Sequence, residues 1–451
     1  MNASNKKPRR ILIGFTEVAG YFEALRRGFG ELGVAADFAD LYGHKFQYAS
    51  APAPLVVRCV RWLIDQRAAA ASRRAASRHF WIGAEALARG VLFLYALALY
   101  DVWILTFASS FFGHHDVELR IARLFGKRVI YVFCGSDSRP SYIDGSQMAA
   151  EHGRTVRDCI ALTAELKRRV NTIEKYAHAV VQNPLTAHFH QKPFVQWIVM
   201  GIPSGAEIES RLLRRDGARI RILHAPSLQE AKGTPIVRAA VEELRVRGYD
   251  VDYVEISGRP HHEIVSAIEN CDVVIDQVYN DTPLAIFATE AARCAKPAVV
   301  GTYGAAEMAR QIPEWAMPPV LLSHPDRLAD AAELLIRDGE YRKNLGNSAY
   351  RFVSEHWTAA AVAERYLRLV SDDIPDDWFS DPRDIRYLHG WGMPEARSKQ
   401  LIRDVISQAG VEALCLSDKP ELERAMVRFA QEPVVTADAS VAARTRENAA
   451  C

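Results

Sequence analysis

The sequence predicts an α/β protein built from two doubly wound parallel-sheet domains. Three observations carry this reading. Short apolar runs alternate with helical stretches from Arg9 to Asn183. The alternation stops at "GIPSGAEIESRLLRRDG", Gly201 to Gly217, which has the texture of a linker. It then restarts at "IRILHAP" and continues to Val370. Strands that alternate with helices pair in parallel, because each crossover needs a helix to return the chain. The spacing therefore divides the 451 residues into 1–205, 206–370 and an extension, 371–451.

The elements follow in order. "RRILIGF" opens as a strand, "YFEALRRGFGELG" is a helix, and "VAADFADL" is the second strand. "DVWILTF", "KRVIYVF" and "AHAVVQN" are further short apolar strands. Gly90 to Gly113 is apolar apart from Asp101, which divides it into pieces of core-element length, so a buried helix followed by a strand is expected. In the second half, "TPIVRAAVEELRVRG" reads as a helix with a Thr234 cap, a proline at its first position and a glycine at its end. "YDVDYVEI", "DVVIDQV", "PAVVG" and "PVLLS" are strands, and "HHEIVSAIENC", "RLADAAELLIRDG" and "TAAAVAERYLRLV" are helices. Pro283 to Ala292 reads as a helix capped by Thr282. Past Val370, "EARSKQLIRDVISQAG" and "ELERAMVRFAQE" read as surface helices, and the last fifteen or so residues as a frayed tail.

Composition narrows the function. Lys plus Arg number 56 against 55 Asp plus Glu, which argues against a general nucleic-acid binder. The seven cysteines form no C-x-x-C pair, so no zinc site is indicated and reduced thiols in a cytoplasm are expected. The basic start runs straight into one short apolar strand and lacks the longer apolar region of a signal peptide. Arg58 to His79 holds six arginines and one acid, with Val57, Val60, Leu63 and Ile64 at helical spacing. Such a helix either shows a solvated basic face or lies on an anionic membrane surface.

In open parallel sheets, ligands bind beyond the carboxyl ends of the strands. "HAPSLQEAKGT", "ISGRPHH" and "YNDTP" stand at such ends. Lys232 precedes a helix start, and Gly233 beside it lets backbone come close, an arrangement suited to phosphate or to an ordinary capped loop. Glu290 is the only charged residue between Pro283 and Ala292 in "NDTPLAIFATEAARCAKPAVV". It either pairs with Arg293 or accepts bonds from vicinal hydroxyls of a ligand, since one carboxylate can engage both.

The order strand, "HAPS", "KGT", helix, then "DVVIDQ", then "FATEAARCAKPAVV" resembles the nucleotide-binding domain of GT-B glycosyltransferases, particularly the retaining family 4 type. The resemblance covers Ile220 to Val370 well and the N-terminal half more loosely. It implies a GT-B fold, two Rossmann-like domains facing a cleft. Carried over, Lys232 binds the donor diphosphate and Glu290 holds the ribose. Ser227, Gly233, Thr234, Ile256, Thr282, Pro283 and Leu284 join them around the nucleotide sugar. Two positions depart from the pattern: Ser227 stands for the usual arginine, and Thr282, beside Asp281, for the first glutamate. "TEVAGYF" resembles the small-residue loop that meets the diphosphate from the acceptor side, with Gly20 the candidate. "VFCGSDSRP" resembles an H-G-x-D-x-R segment of enzymes that make surface polysaccharides. It keeps Gly135, Asp137 and Arg139, has Cys134 for the histidine, and makes Asp137 a candidate at the chemistry or a turn residue. His114 and His115 are candidates to line the cleft. The expected activity is hexosyl transfer from a nucleotide-diphosphate sugar of UDP or GDP type to a glycan or lipid-linked acceptor, with no metal or other cofactor. It would take place in the cytoplasm, with contact at the inner face of the membrane. A catalytically silent relative that binds a sugar nucleotide or scaffolds an assembly, and a nucleotide-sugar epimerase, are the alternatives.

Overall fold

In the first half, runs such as "ILIGF" and "VWILT" have no polar side to show to water, so both faces must be covered. They form β1 (Ile11–Phe15) and β3 (Val102–Thr106), joined by β2 (Ala36–Asp40), β4 (Arg128–Val132), β5 (Ala179–Gln182) and β6 (Phe194–Gln196). Helices α1 (Tyr21–Glu31), α2 (Leu55–Ser72), α3 (Arg78–Leu99), α4 (His115–Leu124) and α5 (Val156–Tyr176) supply the crossovers. The computed structural model describes residues 10–43, 53–72, 77–107, 109–196, 201 and 219–433. The expected linker, apart from Gly201, and the expected tail from residue 434 on lie outside the described residues.

The second half gives β7 (Ile220–His224), β8 (Val251–Glu255), β9 (Val273–Ile275), β10 (Ala298–Gly301) and β11 (Leu321–Ser323). Its helices are the single turn α6 (Gln229–Lys232), α7 (Thr234–Val246), α8 (His261–Glu269), α9 (Ile286–Arg293), α10 (Ala305–Gln311), α11 (Leu328–Arg337) and α12 (Gly339–His356). All pairings in this sheet are parallel, in the order β11-β10-β9-β7-β8. The chain closes with α13 (Ala359–Ser371), β12 (Phe379–Ser380), α14 (Glu395–Ala409) and α15 (Pro420–Gln431). The first sheet runs β12-β6-β5-β4-β3-β1-β2, with only β12 antiparallel. The architecture is therefore α/β with two parallel-dominated Rossmann-like sheets. In each sheet the strand order reverses beside the first strand, between β1 and β3 and between β7 and β9. Those reversals open the crevices in which such folds hold ligands.

The closing segment belongs to the first sheet. α13 packs on α1 so closely that a Cβ at Gly28 would lie 2.0 Å from the Ala359 carbonyl oxygen. β12 extends the sheet beyond β6. α14 and α15, expected as surface helices, each bury one face: Ile402, Val405, Leu422 and Met426 join the core that also holds Leu166 and Val170 of α5.

Four other expectations change. α9 starts at Ile286 with Ala285 as its N-cap, not at Pro283 under Thr282. Residues from Asp276 to Leu284 are instead a buried loop below the cleft. α7 is capped by Gly233 in the left-handed region, and the Thr234 hydroxyl turns inward to His224 Nε2 at 3.0 Å. The basic stretch is not one helix: Arg58 to Ser72 lie in α2 and Arg78 and His79 in α3, and Val57, Val60 and Ile64 of α2 face the core. α3, expected to be buried, packs only one side against the sheet.

Candidate functional site

A cavity of about 520 Å³ lies between the two sheets, beyond the carboxyl ends of β7, β8 and β9. Its apolar wall includes Pro226, Ile256, Ile264 and Phe287, and Val18 and Ala19 of the β1–α1 loop face it from the first sheet. A smaller chamber of about 180 Å³ adjoins it, lined by Gly135, Ser136, Arg139, Asn183, Thr282 and Trp391. Lys232, Val18, Ala285 and Ile286 line both.

Glu290 is buried at the wall of the larger cavity. Its Oε1 lies 2.6 Å from His261 Nε2, so its partner in the fold is a histidine at the start of α8. Bonding to Glu290, with the attraction of its charge, raises the His261 pKa against the opposing effect of burial. Asp276, at the end of β9, lines the same cavity. Burial raises its carboxyl pKa against the pull of Lys232, and its Oδ2 is buried without a hydrogen-bond partner.

Lys232 ends the α6 turn. Its ammonium donates to Gln277 Oε1 and stands 5.6 Å from the centre of the Trp391 ring. Burial lowers its pKa, partly offset by Asp276 and Asp281. The neighbouring helix end adds less than the sequence suggested. Pro235 has no N–H, and the amides of Ile236 and Val237 already bond to the Gly233 carbonyl. Gly233 has φ 70°, and a Cβ there would meet Val278 at 2.6 Å, so the glycine serves packing against the β9 loop.

The chamber is braced across the two domains. Arg139 donates through Nε to Asp281 Oδ2 at 2.9 Å and through a terminal nitrogen to Asp144 Oδ2 at 2.5 Å, all three groups being buried. Asn183 Nδ2 donates to the Asp281 carbonyl at 2.7 Å. Burial raises the Asp281 pKa although Arg139 opposes it; at Asp144 the guanidinium and several hydrogen bonds outweigh burial and lower it. Trp391 reaches the chamber from the extension, held by its own N–H to Ile143 O (3.0 Å) and by Gly145 N–H to its carbonyl (2.7 Å). Its ring centre is also 5.8 Å from the Arg139 guanidinium.

The remaining candidates divide. Ser227 and Ile256 line the larger cavity and Thr282 the chamber, where its Oγ1 is buried without a partner. Pro283 and Leu284 are buried below it and line neither; Ala285 and Ile286 do so instead. Gly20, in the left-handed region at φ 84°, caps α1 but does not line either cavity. The first turn of α1 already holds a carboxyl group of the chain's own: Glu17 accepts from the amides of Phe22 (3.2 Å) and Glu23 (3.0 Å). Burial pushes the Glu17 carboxyl up to about 7, against those two bonds. Asp137 sits behind the chamber wall as a turn residue, accepting from Cys134 N–H at 2.9 Å. Its Oδ2 is buried and unpartnered, and burial pushes its pKa up to about 6. His114 and His115 do not line the cleft. They line a separate depression of about 770 Å³ beside α3 and α5. Among the described residues no group of three or more His, Cys, Asp or Glu is placed to hold a metal ion.

Sequence reasoning missed His261, Gln277, Trp391 and the Arg139–Asp281 contact. His261 did stand in a loop marked by its strand-end position. Trp391 carried no such signal, because it reaches the site from beyond both sheets.

No family model matches the chain, and no curated protein matches it in sequence. Solved structures similar to it include Anabaena HepE in complex with UDP-glucose, at 13% identity and TM-score 0.45, covering 81% of this chain and 100% of that one. The glycosyltransferase SnogD from Streptomyces nogalater is similar at 12% identity and TM-score 0.40, covering 81% and 100%. The catalytic domain of starch synthase IV from Arabidopsis thaliana, bound to ADP and acarbose, is similar at 10% identity and TM-score 0.45, covering 81% and 99%. Likeness of this degree carries no argument about the site.

Proposed function

We propose that the protein transfers a sugar from a nucleotide-diphosphate sugar to a glycan or lipid-linked glycan, at the cytoplasmic face of a membrane and without a metal or other cofactor. One observation carries this reading: Lys232 stands at the junction of a larger, apolar-walled cavity that holds Glu290 and a smaller polar chamber. A nucleoside diphosphate sugar has that same division. The base fits between Ile256, Pro226 and Phe287, and the ribose hydroxyls meet Glu290. The diphosphate lies against Lys232, and the sugar enters beside Asn183 and Thr282. The buried, unpartnered Asp276 Oδ2 and Thr282 Oγ1 are polar atoms that ligand hydroxyls would satisfy.

As the bond from the sugar to the diphosphate breaks, its electron pair stays on the phosphate oxygen. Lys232, held by Gln277 in a water-poor site, meets that growing charge. Transfer with retention of configuration is part of this reading, on the strength of the sequence resemblance. The binding-only alternative has one observation in its favour: Asp281, beside the position of the usual first glutamate, is committed to Arg139.

Calorimetric titration with UDP, GDP, ADP and CMP tests the proposal. One of them should bind wild type, and Glu290→Gln should weaken it about tenfold or more, the loss of a bond to a charged group. Transfer and hydrolysis assays with the matching sugar donor then separate enzyme from binder. A folded protein that binds none of the four nucleotides overturns the reading.

A further inference from the structure

Helix α3 is built inside out. Between Phe80 and Leu99 its only charged side chains are Glu85 and Arg89, and both are buried. Arg89 Nε donates to Glu85 Oε1 at 2.8 Å, and the guanidinium also donates to Phe111 O (3.0 Å) and Tyr42 Oη (3.1 Å). The outer face carries Phe80, Leu87, Val91 and Leu94, with 67, 73, 50 and 65% of their surface exposed. Steps of seven, four and three residues place them along one side. A helix on the surface of a water-soluble protein shows the opposite arrangement, with charges out and apolar groups in.

α3 has 22 residues and is long and apolar enough to cross a membrane, yet 28% of its most apolar window is buried in the protein. Leu92, Phe93, Ala96 and Leu97 pack into the core of the first sheet. A helix fixed to a sheet along one side cannot span a bilayer. It can lie in the plane of one.

We propose that the outer face of α3, with the aromatic end of the α2–α3 hairpin, seats the protein on the surface of an anionic lipid bilayer. The charges and rings around the face favour a bilayer over a protein partner. At the start of α3, Trp81 packs edge-on against Phe80 (5.1 Å between ring centres) and against the exposed Trp62 of α2 (5.7 Å). Indole rings settle where lipid meets water. Arg58, exposed one turn before Trp62, and Arg78, exposed at the head of α3, stand beside them. An apolar strip with arginines at its end matches acyl chains below and anionic headgroups above. The apolar contact thus belongs to α3, not to the Val57–Ile64 stripe of α2, which is spent on the core. This rests on the functional reading only in that both place the protein at a membrane, and it adds the surface that makes the contact; nucleotide binding and vesicle binding are read separately, so either can fail alone.

Flotation of the full-length protein with two kinds of vesicle tests it: phosphatidylcholine alone, and phosphatidylcholine with about a quarter phosphatidylglycerol. Wild type should float with the anionic vesicles, and less so at high salt. The double variant Leu87→Glu/Leu94→Glu should bind at least about tenfold less, since two leucines no longer leave water. Val246→Glu, a change at an exposed apolar residue of α7, should bind as wild type does. Tryptophan quenching by brominated lipid reads the contact first on wild type, which should be quenched on anionic vesicles, and then on the conservative variant Trp62→Phe/Trp81→Phe, which should be quenched much less. Failure of wild type to bind either vesicle overturns the proposal, as does equal binding by the leucine variant. If sedimentation shows a wild-type dimer that Leu87→Glu/Leu94→Glu separates, the face joins two copies and the proposal also falls.

Discussion

α9 and α3 are both apolar helices that carry an isolated carboxylate, and they use it in opposite ways. α9 is covered by neighbours on nearly every side, and Glu290 meets the one open space beside it, a cavity between the sheets. α3 is covered on one side only, and Glu85 is turned into that side against Arg89. In α9 the acid marks where something polar can enter. In α3 it is already engaged by cations of the chain, with Arg89 at one oxygen and Arg67 Nε 2.9 Å from the other. The same apolar composition thus yields a cavity wall in one place and an exposed apolar face in the other. What separates them is the neighbour of the carboxylate: a histidine that can give up its charge, or an arginine that cannot.

The largest effect that would sharpen this contrast is Glu85→Ala. It leaves Arg89 buried without its carboxylate and should cost about 3 kcal/mol in urea unfolding. A cost near zero would mean that the pair is not what fixes the inward side of α3. Asp137→Asn supplies a third buried acid, with neither a cation bonded to its unpartnered oxygen nor a place on the cavity wall. Its pKa is raised in the fold from 3.8 to about 6, so its contribution to stability is full below about pH 4 and is lost as pH rises through 6. The asparagine variant should therefore match wild type at acid pH and exceed it by about 2 kcal/mol at pH 8. Donor binding should be unchanged.

Glu290→Ala should lower stability by about 1 kcal/mol or less, because His261 can shed its proton when its partner goes. The His261 pKa is raised by Glu290, so the pair stabilises most below the ordinary histidine range near 6.5 and least above the folded value. The gap between wild type and Glu290→Ala in thermal unfolding should accordingly narrow as pH rises. If Glu290→Ala costs as much as Glu85→Ala at neutral pH, the two helices do not differ as described. The smallest effect belongs to Leu87→Glu, which should change unfolding by about 0.5 kcal/mol or less because the side chain already faces outward.

Much of the fold was legible because its signals are local. Parallel strands such as Val102–Thr106 are apolar on both faces and read as strands from composition alone. Lys232 could be singled out because strand ends point to crevices, and Ser227 and Ile256 through the family resemblance; all three line the cavity. What could not be read rests on distance along the chain. Arg139 and Asp281 are 142 residues apart, and neither hints at the other. Trp391 comes from a segment whose texture suggested only an appendage. Periodicity found a stripe on α2 but not the direction it faces, and for α3 it could not tell a helix buried on all sides from one buried on half. Thr282 looked like a cap because serine, threonine and proline signals mark helix starts. The loop from Asp276 to Leu284 is instead drawn down under the cleft by Asn280 and by the contact with Arg139.

The first sheet is begun by the N-terminal residues and finished by β12, α13, α14 and α15, all of which follow the second domain in the chain. A ribosome therefore releases the second domain whole while the first is still open. At about 5–20 residues per second, the free edge of β6 and the uncovered side of α5 wait tens of seconds for Gln431 to emerge. An unpaired strand edge beside apolar surface is a template for the wrong partner during that interval. Chains cut short before α14 should be recovered as aggregates, with the second domain folded inside them.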